Sequence, residues 1–252
     1  NLDQNLVKRA ADMLRLQLKE KSAPAADKYA LARFAEMAGT IAVSEKPTKS
    51  NIISLIGEGM QALDDGLVPP DGRYLYLSSE MHKMICLSDE YIGIDPLGAK
   101  SVAKGVCGEV LGMEVVRVPE SYMPKDCWFL ITHKDSVLLP YKIADAKVHE
   151  DPVGVSGAII EGRHYYDAFV LGAKCAGVYA CVKTGTVTAN PVNSDGTLTC
   201  TDGGAAIRYT LDGSDPRYSD SAKDYVSKVT VQENEVLRAY AKAKGKYPSA
   251  VI

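Results

Sequence analysis

The residues able to do chemistry are few and poorly grouped. Six cysteines (Cys86, Cys107, Cys127, Cys175, Cys181, Cys200) contain no CxxC pair and no zinc-ligand spacing. Most sit among apolar neighbours, as in Cys127-Trp128-Phe129 and Ile85-Cys86-Leu87, which reads as buried free thiols in a reducing compartment. The four histidines, His82, His133, His149 and His164, stand apart from one another, with no HExxH arrangement. No GxSxG, P-loop or GxGxxG segment offers a nucleophile or a phosphate cradle. Paired carboxylates are the remaining catalytic option. Asp64-Asp65 closes a helical pattern and reads as a helix end, whereas Asp89, Glu90 and Asp95 beside Tyr91 are framed by no motif. Asp212, Ser214 and Asp215 cluster oxygen donors but lack the further acid of a calcium loop. Tyr218 and Tyr225 are candidates for stacking on sugars, and the single tryptophan, Trp128, lies in an apolar strand and reads as core. No catalytic residue, metal ligand or cofactor is therefore assigned, and the chain is expected not to be an enzyme.

The elements that must carry these residues belong to an ordinary globular chain. It has 252 residues, 46% hydrophobic and 24% charged, with a net charge of −3. Such a chain buries a core without disulfides or metals. A mild acidic balance argues against a basic nucleic-acid clamp. No stretch reaches the roughly 18–20 apolar residues of a membrane span, and no signal peptide is visible. The chain opens on Asn1, which implies a processed or truncated piece of a longer product.

Residues 2–22 carry a helical stripe (Leu2, Leu6, Met13, Leu14, Leu18) that Ser22-Ala23-Pro24 should interrupt. The pattern resumes from Tyr29 to Met37, and Gly39 should end it. A second helix is expected over 51–63, and the segment 40–49 is undetermined. Strands are expected at 73–77, 113–118, 128–131 and 157–160, and along the run 165–182, with bends at Gly172 and Gly177. Ser78 or Ser79 should cap a helix to about Leu87, and Thr132 a short one over 134–138. Residues 91–96 read as loop and 141–149 are ambiguous. With no βαβ rhythm, the class is α+β.

Composition shifts near Lys183. Beyond it Ile207, Tyr209 and Leu211 alternate with Arg208 and Thr210. Leu237, Ala239, Ala241 and Ala243 alternate with Arg238, Tyr240, Lys242 and Lys244, and Val229 and Val231 with Lys228 and Thr230. Turn signals separate these runs. The expectation is a small all-β sandwich over 183–252, following an α+β domain over 1–182.

Four segments of the first region resemble the major capsid protein of tailed phages, in the Hong Kong 97-type fold: EKSAPAADKYALARFAEMAG (20–39), LDDGLVPPDGRYLYLSSEMHKMI (63–85), GEVLGMEVVRVPES (108–121) and GVSGAIIEGRHYYDAFVLGAKCAGVYA (154–180). The resemblance implies a long spine helix and a structural protein whose copies form pentamers and hexamers of an icosahedral shell. It also implies portal or scaffold partners and enclosed double-stranded DNA that is not read by sequence. Location would be the virion capsid of a phage or prophage, after synthesis in the bacterial host cytoplasm. The family's N-terminal arm and extended loop have no counterpart here, so this piece alone should be monomeric or weakly associated. No motif marks crosslinking between subunits.

The second region, through YTLDGSDP (209–216) and LRAYAKAKG (237–245), resembles the immunoglobulin-like C-terminal module of chitobiases and hexosaminidases. There the module is accessory, so the likeness implies an exterior decoration and no hydrolysis. The competing reading is a carbohydrate-binding or carbohydrate-active protein using the sandwich as an accessory module, and a hybrid would let the sandwich touch surface glycans.

Overall fold

A six-stranded mixed sheet organises the first region. The computed structural model describes residues 12–88, 108–149, 153–154 and 159–252. The sheet is built from β1 (Thr40–Ser44), β2 (Arg73–Ser78), β3 (Glu109–Val110), β4 (Met113–Val118), β5 (Cys127–His133) and β10 (Val178–Lys183). Their order is β1-β10-β5-β2-β4-β3. β1 pairs parallel to β10 and β2 to β4, and the other neighbours are antiparallel. Both faces are covered, which is why β5 and β10 read as continuous apolar runs rather than as alternation.

Helices α1 (Ala23–Glu36), α2 (Ile52–Asp65) and α3 (Ser79–Cys86) supply the cover. Ile52, Ile56 and Leu63 of α2 and Met81 and Ile85 of α3 bury one face with Leu75, Leu77, Phe129 and Ile131. Ala30, Leu31, Phe34 and Ala35 of α1 bury the other with Leu130, Val178, Ala180 and Val182. A bulge at Trp128 divides β5 between the faces. Val182 pairs with Cys127 and Cys181 with Phe129, so Cys127 joins the α1 side and Phe129 the α2 side.

Several sequence expectations change here for physical reasons. Pro24 does not break the first helix: the helical run is continuous over residues 12–36. A π-turn, Leu18–Ser22, lets the Ala23 N–H reach back five residues to the Leu18 carbonyl, and the widened turn accommodates the proline ring. The part of that expectation on residues 2–11 lies outside the described residues, as does the loop at 91–96. Gly39 does not close the helix with a left-handed turn, because it has no positive φ. It is small because a Cβ there would collide with the Cys175 carbonyl.

The helix expected over 134–138 is absent. The Asp135 N–H donates to His133 Nδ1 and the Ser136 N–H to the His133 carbonyl, making a turn. Beyond it β6 (Val137–Leu138) pairs with β9 (Phe169–Val170). Long-range pairing prevails over a helix too short to repay its nucleation. The run 165–182 is four pieces: the end of β8 (Ile159–Tyr166), then β9, then a 3₁₀ segment, Gly172–Gly177, then β10. The ambiguous 141–149 is β7 (Tyr141–His149), antiparallel to β8 in a two-stranded ribbon.

After β10 the chain forms a C-terminal unit of short strands. β11 (Val192–Ser194) pairs with β12 (Thr197–Thr199). β13 (Ala206–Thr210) lies between β14 (Lys223–Asp224) and β15 (Arg238–Lys242). The expected alternation holds on β13 and β15, where Ile207, Ala239 and Ala241 are buried together with Leu198. It fails at 228–231, where Val229 is held by one N–H to the Gly196 carbonyl rather than by a strand.

Candidate functional site

The sequence-nominated acids do not converge. The Asp64 carboxylate accepts from Arg73 Nη2 at 2.7 Å, and the buried guanidinium also donates to the Pro69 carbonyl at 2.9 Å and the Val68 carbonyl at 2.5 Å. This arginine ties the end of α2 to the start of β2, with Asp64 as one of its anchors. Asp65 is exposed beside it. Asp89, Glu90, Tyr91 and Asp95 lie outside the described residues. Trp128 is half-buried and its Nε1 donates to the Ser44 carbonyl at 3.1 Å, packing it on the α2 face of the sheet.

Among the described residues no group of three His, Cys, Asp or Glu could hold a metal. Cys86, Cys127, Cys175, Cys181 and Cys200 are thiols, and Cys107 lies outside the described residues. Cys127 and Cys181 sit on opposite faces of the sheet. Burial pushes both thiols up, Cys181 to about 12, so neither supplies a thiolate nucleophile. His133 is buried, with Nε2 donating to the Asp71 carbonyl at 2.9 Å and Nδ1 accepting from Asp135 N–H, so both its ring nitrogens are engaged in turns. His82 is held below the usual imidazole range by burial, with Arg117 adding to the effect. No helix of the described residues is long and apolar enough to cross a membrane.

The oxygen cluster of the C-terminal unit splits in two. Asp212 accepts from the Ser214 hydroxyl at 2.5 Å, from the Ser221 hydroxyl at 2.7 Å and from the Ser214 N–H at 3.0 Å. These donors hold its carboxyl down to about 2. Asp215 turns elsewhere: it grips Arg217 through Nη2 at 2.7 Å and Nε at 3.1 Å. A shared cation between the two acids is therefore not what the turn is built for.

Arg217 was not singled out by the sequence patterns, yet it is the centre of a polar constellation with partners on both sides. Its side chain is 12% exposed, and its Nη1 donates to the Ala38 carbonyl at 3.0 Å and the Gly39 carbonyl at 3.2 Å, across the boundary between the two regions. Tyr218 donates its hydroxyl to the Met37 carbonyl at 2.5 Å and packs on Gly172, so it is not a sugar platform. Tyr225 meets Tyr209 edge-on at 6.4 Å. Two further contacts cross the same boundary: Lys242 to Glu36 at 2.7 Å, and the Tyr247 hydroxyl to the Lys125 carbonyl at 2.7 Å. The available signal was the spacing itself, an arginine two residues after an aspartate in Asp-Pro-Arg, which makes a local carboxylate fork. Its target could not be read from the chain.

A groove of about 680 Å³ runs along this boundary, with α1 and residues 124–126 on one side and Arg208, Tyr240, Lys242, Lys244 and Lys246 on the other. Elsewhere the β6–β9 ribbon presents Leu138, Leu139, Phe169 and Leu171 to solvent. Such a surface suits association better than catalysis.

Comparison with known proteins fits this picture. Residues 182–252 match the chitobiase/beta-hexosaminidase C-terminal domain. A solved structure of Mycobacterium phage Che8 is similar over 65% of this chain and 60% of that chain, at TM-score 0.53 and 21% identity. The capsid structure of cyanophage P-SCSP1u is similar over 69% of this chain and 65% of that chain, at TM-score 0.55 and 14% identity. This chain thus spans under two thirds of the length of either. No curated protein matches it. At these identities the likeness is one of fold: the chain has a phage-capsid-type α+β fold, and its C-terminal residues are similar to the chitobiase/beta-hexosaminidase C-terminal domain.

Proposed function

We propose that the chain is the shell-forming subunit of a tailed phage or prophage, the part of a major capsid protein that tiles with copies of itself. The observation that carries this reading is the capsid-type fold of the α+β region, in a chain whose described residues gather no catalytic cluster. The 25-residue helical run of residues 12–36 serves as the end of the spine helix. The domains are 1–182 and 183–252, the second folded as an immunoglobulin-like sandwich carried on the outer surface. Copies associate through repeated heterologous contacts into pentamers and hexamers closed by icosahedral symmetry, so that contacts weak one by one sum over the shell. The shell encloses double-stranded DNA without reading it, as befits a chain of net charge −3. Portal and scaffold proteins are its further partners. It is made in the bacterial host cytoplasm and ends in the virion.

The test is expression of the complete reading frame, followed by sedimentation velocity and negative-stain electron microscopy. Shells, or rings of five and six, are the expected products. A stable monomer that still fails to assemble when co-expressed with the neighbouring scaffold and protease genes overturns the reading. The carbohydrate reading is checked on the same material with a glycan array, where saturable binding by a monomer would favour it.

A further inference from the structure

The C-terminal end of α1 is finished by residues that lie some 180 positions away in the chain. A helix leaves its last carbonyls without intrahelical donors, and most helices satisfy them with a left-handed glycine or with solvent. Here neither Met37, the C-cap, nor Gly39 has a positive φ, and the carbonyl of Met37, with those of Ala38 and Gly39 in the link to β1, points into the C-terminal unit. The Tyr218 hydroxyl takes the first and the Arg217 guanidinium the other two. A cation at this end also complements the helix dipole. Asp215 holds the guanidinium in place through its other nitrogens, and the Arg217 N–H anchors the same carboxylate at 2.9 Å.

Small residues let the pieces close. A Cβ on Gly172 would meet the Tyr218 Cβ at 2.7 Å, and one on Gly39 would strike the backbone at Cys175. The half-buried Cys175 thiol is enclosed in this junction, desolvated and beside Arg217 and Tyr218. The apolar cluster on the α1 face continues across the boundary as well: Tyr247 is buried in it, and Val187 and Tyr218 pack against it.

We propose that the Asp215-Pro216-Arg217-Tyr218 turn is an interaction surface whose partner is the carbonyl end of a helix, and that through it the C-terminal unit braces the α1–β1 corner as a fixed part of the subunit. Undocking the unit and loosening the corner are then one event. This holds whether or not the chain builds shells.

Cys175 provides the readout in the full chain. Its iodoacetamide labelling, mapped by peptide mass spectrometry, is compared with that of Cys200 in the C-terminal unit, alongside amide hydrogen exchange over residues 37–44. Arg217→Met should raise Cys175 labelling at least tenfold and speed exchange at β1, with a smaller rise at Cys200. Tyr218→Phe, which deletes a single donor, should act in the same direction but more weakly. Asp215→Asn combined with Arg217→Met should add little to Arg217→Met alone. A folded Arg217→Met protein with wild-type exchange over residues 37–44 overturns the proposal, because losing the guanidinium also raises the Cys175 thiol and slows its alkylation. If Arg217→Met unfolds the whole chain, Tyr218→Phe decides: unchanged Cys175 labelling and β1 exchange in that variant overturn it equally.

Discussion

The two regions of this molecule reach order by different means. In the α+β region a six-stranded sheet is packed on both faces, with Phe129, Leu130 and Ile131 at 0% exposure in consecutive positions. The apolar cluster of the C-terminal unit has four buried residues, Leu198, Ile207, Ala239 and Ala241, two of them alanines. A unit of this size rarely closes a sufficient core without staples. Here the staples are hydrogen-bonded turns, such as the Asp212–Ser214–Ser221 network, and docking onto its neighbour through Arg217, Tyr218 and Tyr247. The lesson is that a large core stabilises by burial, whereas a small appended unit draws its stability from polar geometry and from the surface it sits on.

That contrast can be broken at its strong end first. Phe129→Ala removes a fully buried ring from the sheet centre and should cost about 3–5 kcal/mol, read as a fall in the urea midpoint for the whole chain. Arg217→Met should come next, at about 2–4 kcal/mol, because it leaves Asp215 and the carbonyls of Ala38 and Gly39 without their donor. Its signature differs: calorimetry should show the parent melting in one transition and the variant in two, the C-terminal unit melting first. A single unchanged transition would mean that the docking contributes nothing to cooperativity.

Smaller effects sharpen the comparison. A Cβ on Gly59 would lie 2.6 Å from Ile131 Cδ1 and against the Tyr179 ring, so Gly59→Ala should overpack the core by about 1–3 kcal/mol. The corresponding change in an open turn of the C-terminal unit, Gly203→Ala, meets no atom within 4 Å and should leave the midpoint within about 0.5 kcal/mol of the parent. Acid sensitivity should be weaker still, and in the C-terminal unit it should run through Asp212. Asp212 has its carboxyl held at about 2, below the ordinary 3.8, so its contribution is complete above pH 4 and lost as pH falls from about 4 to 2. Asp212→Asn should flatten the pH dependence of the urea midpoint in that window. An unchanged slope would show that the serine donors do not stabilise the charged form.

Much of the architecture was legible along the chain. The stripe Ile52, Ile56, Leu63 predicted α2, and Ser78 caps α3 by accepting the Met81 N–H at 3.4 Å, as a serine before a helical pattern suggests. Alternation located β13 and β15, because one face of each is buried and the other is not. Where periodicity is blind, reading failed. The two-residue strands β6 and β9 exist only because each finds the other. Residues 228–231 alternate without a partner to pair with. The helix over Pro24 survives because a π-turn upstream makes room for the ring.

The functional residues divide along the same line. Composition and local pattern pointed, without any structure, to helices and strands mixed in the first part of the chain and short strands after it. These are properties of neighbours within a few positions, where side-chain period and turn chemistry act directly. Only the tertiary structure decided what Asp64, Tyr218 and Arg217 do. The partner of each is brought up by the fold: Arg73 across a turn for Asp64, and the carbonyl end of α1 for the other two. A hydrogen bond between residues 38 and 217 leaves no periodic trace, because its strength depends on distance and desolvation in space, not on separation along the sequence.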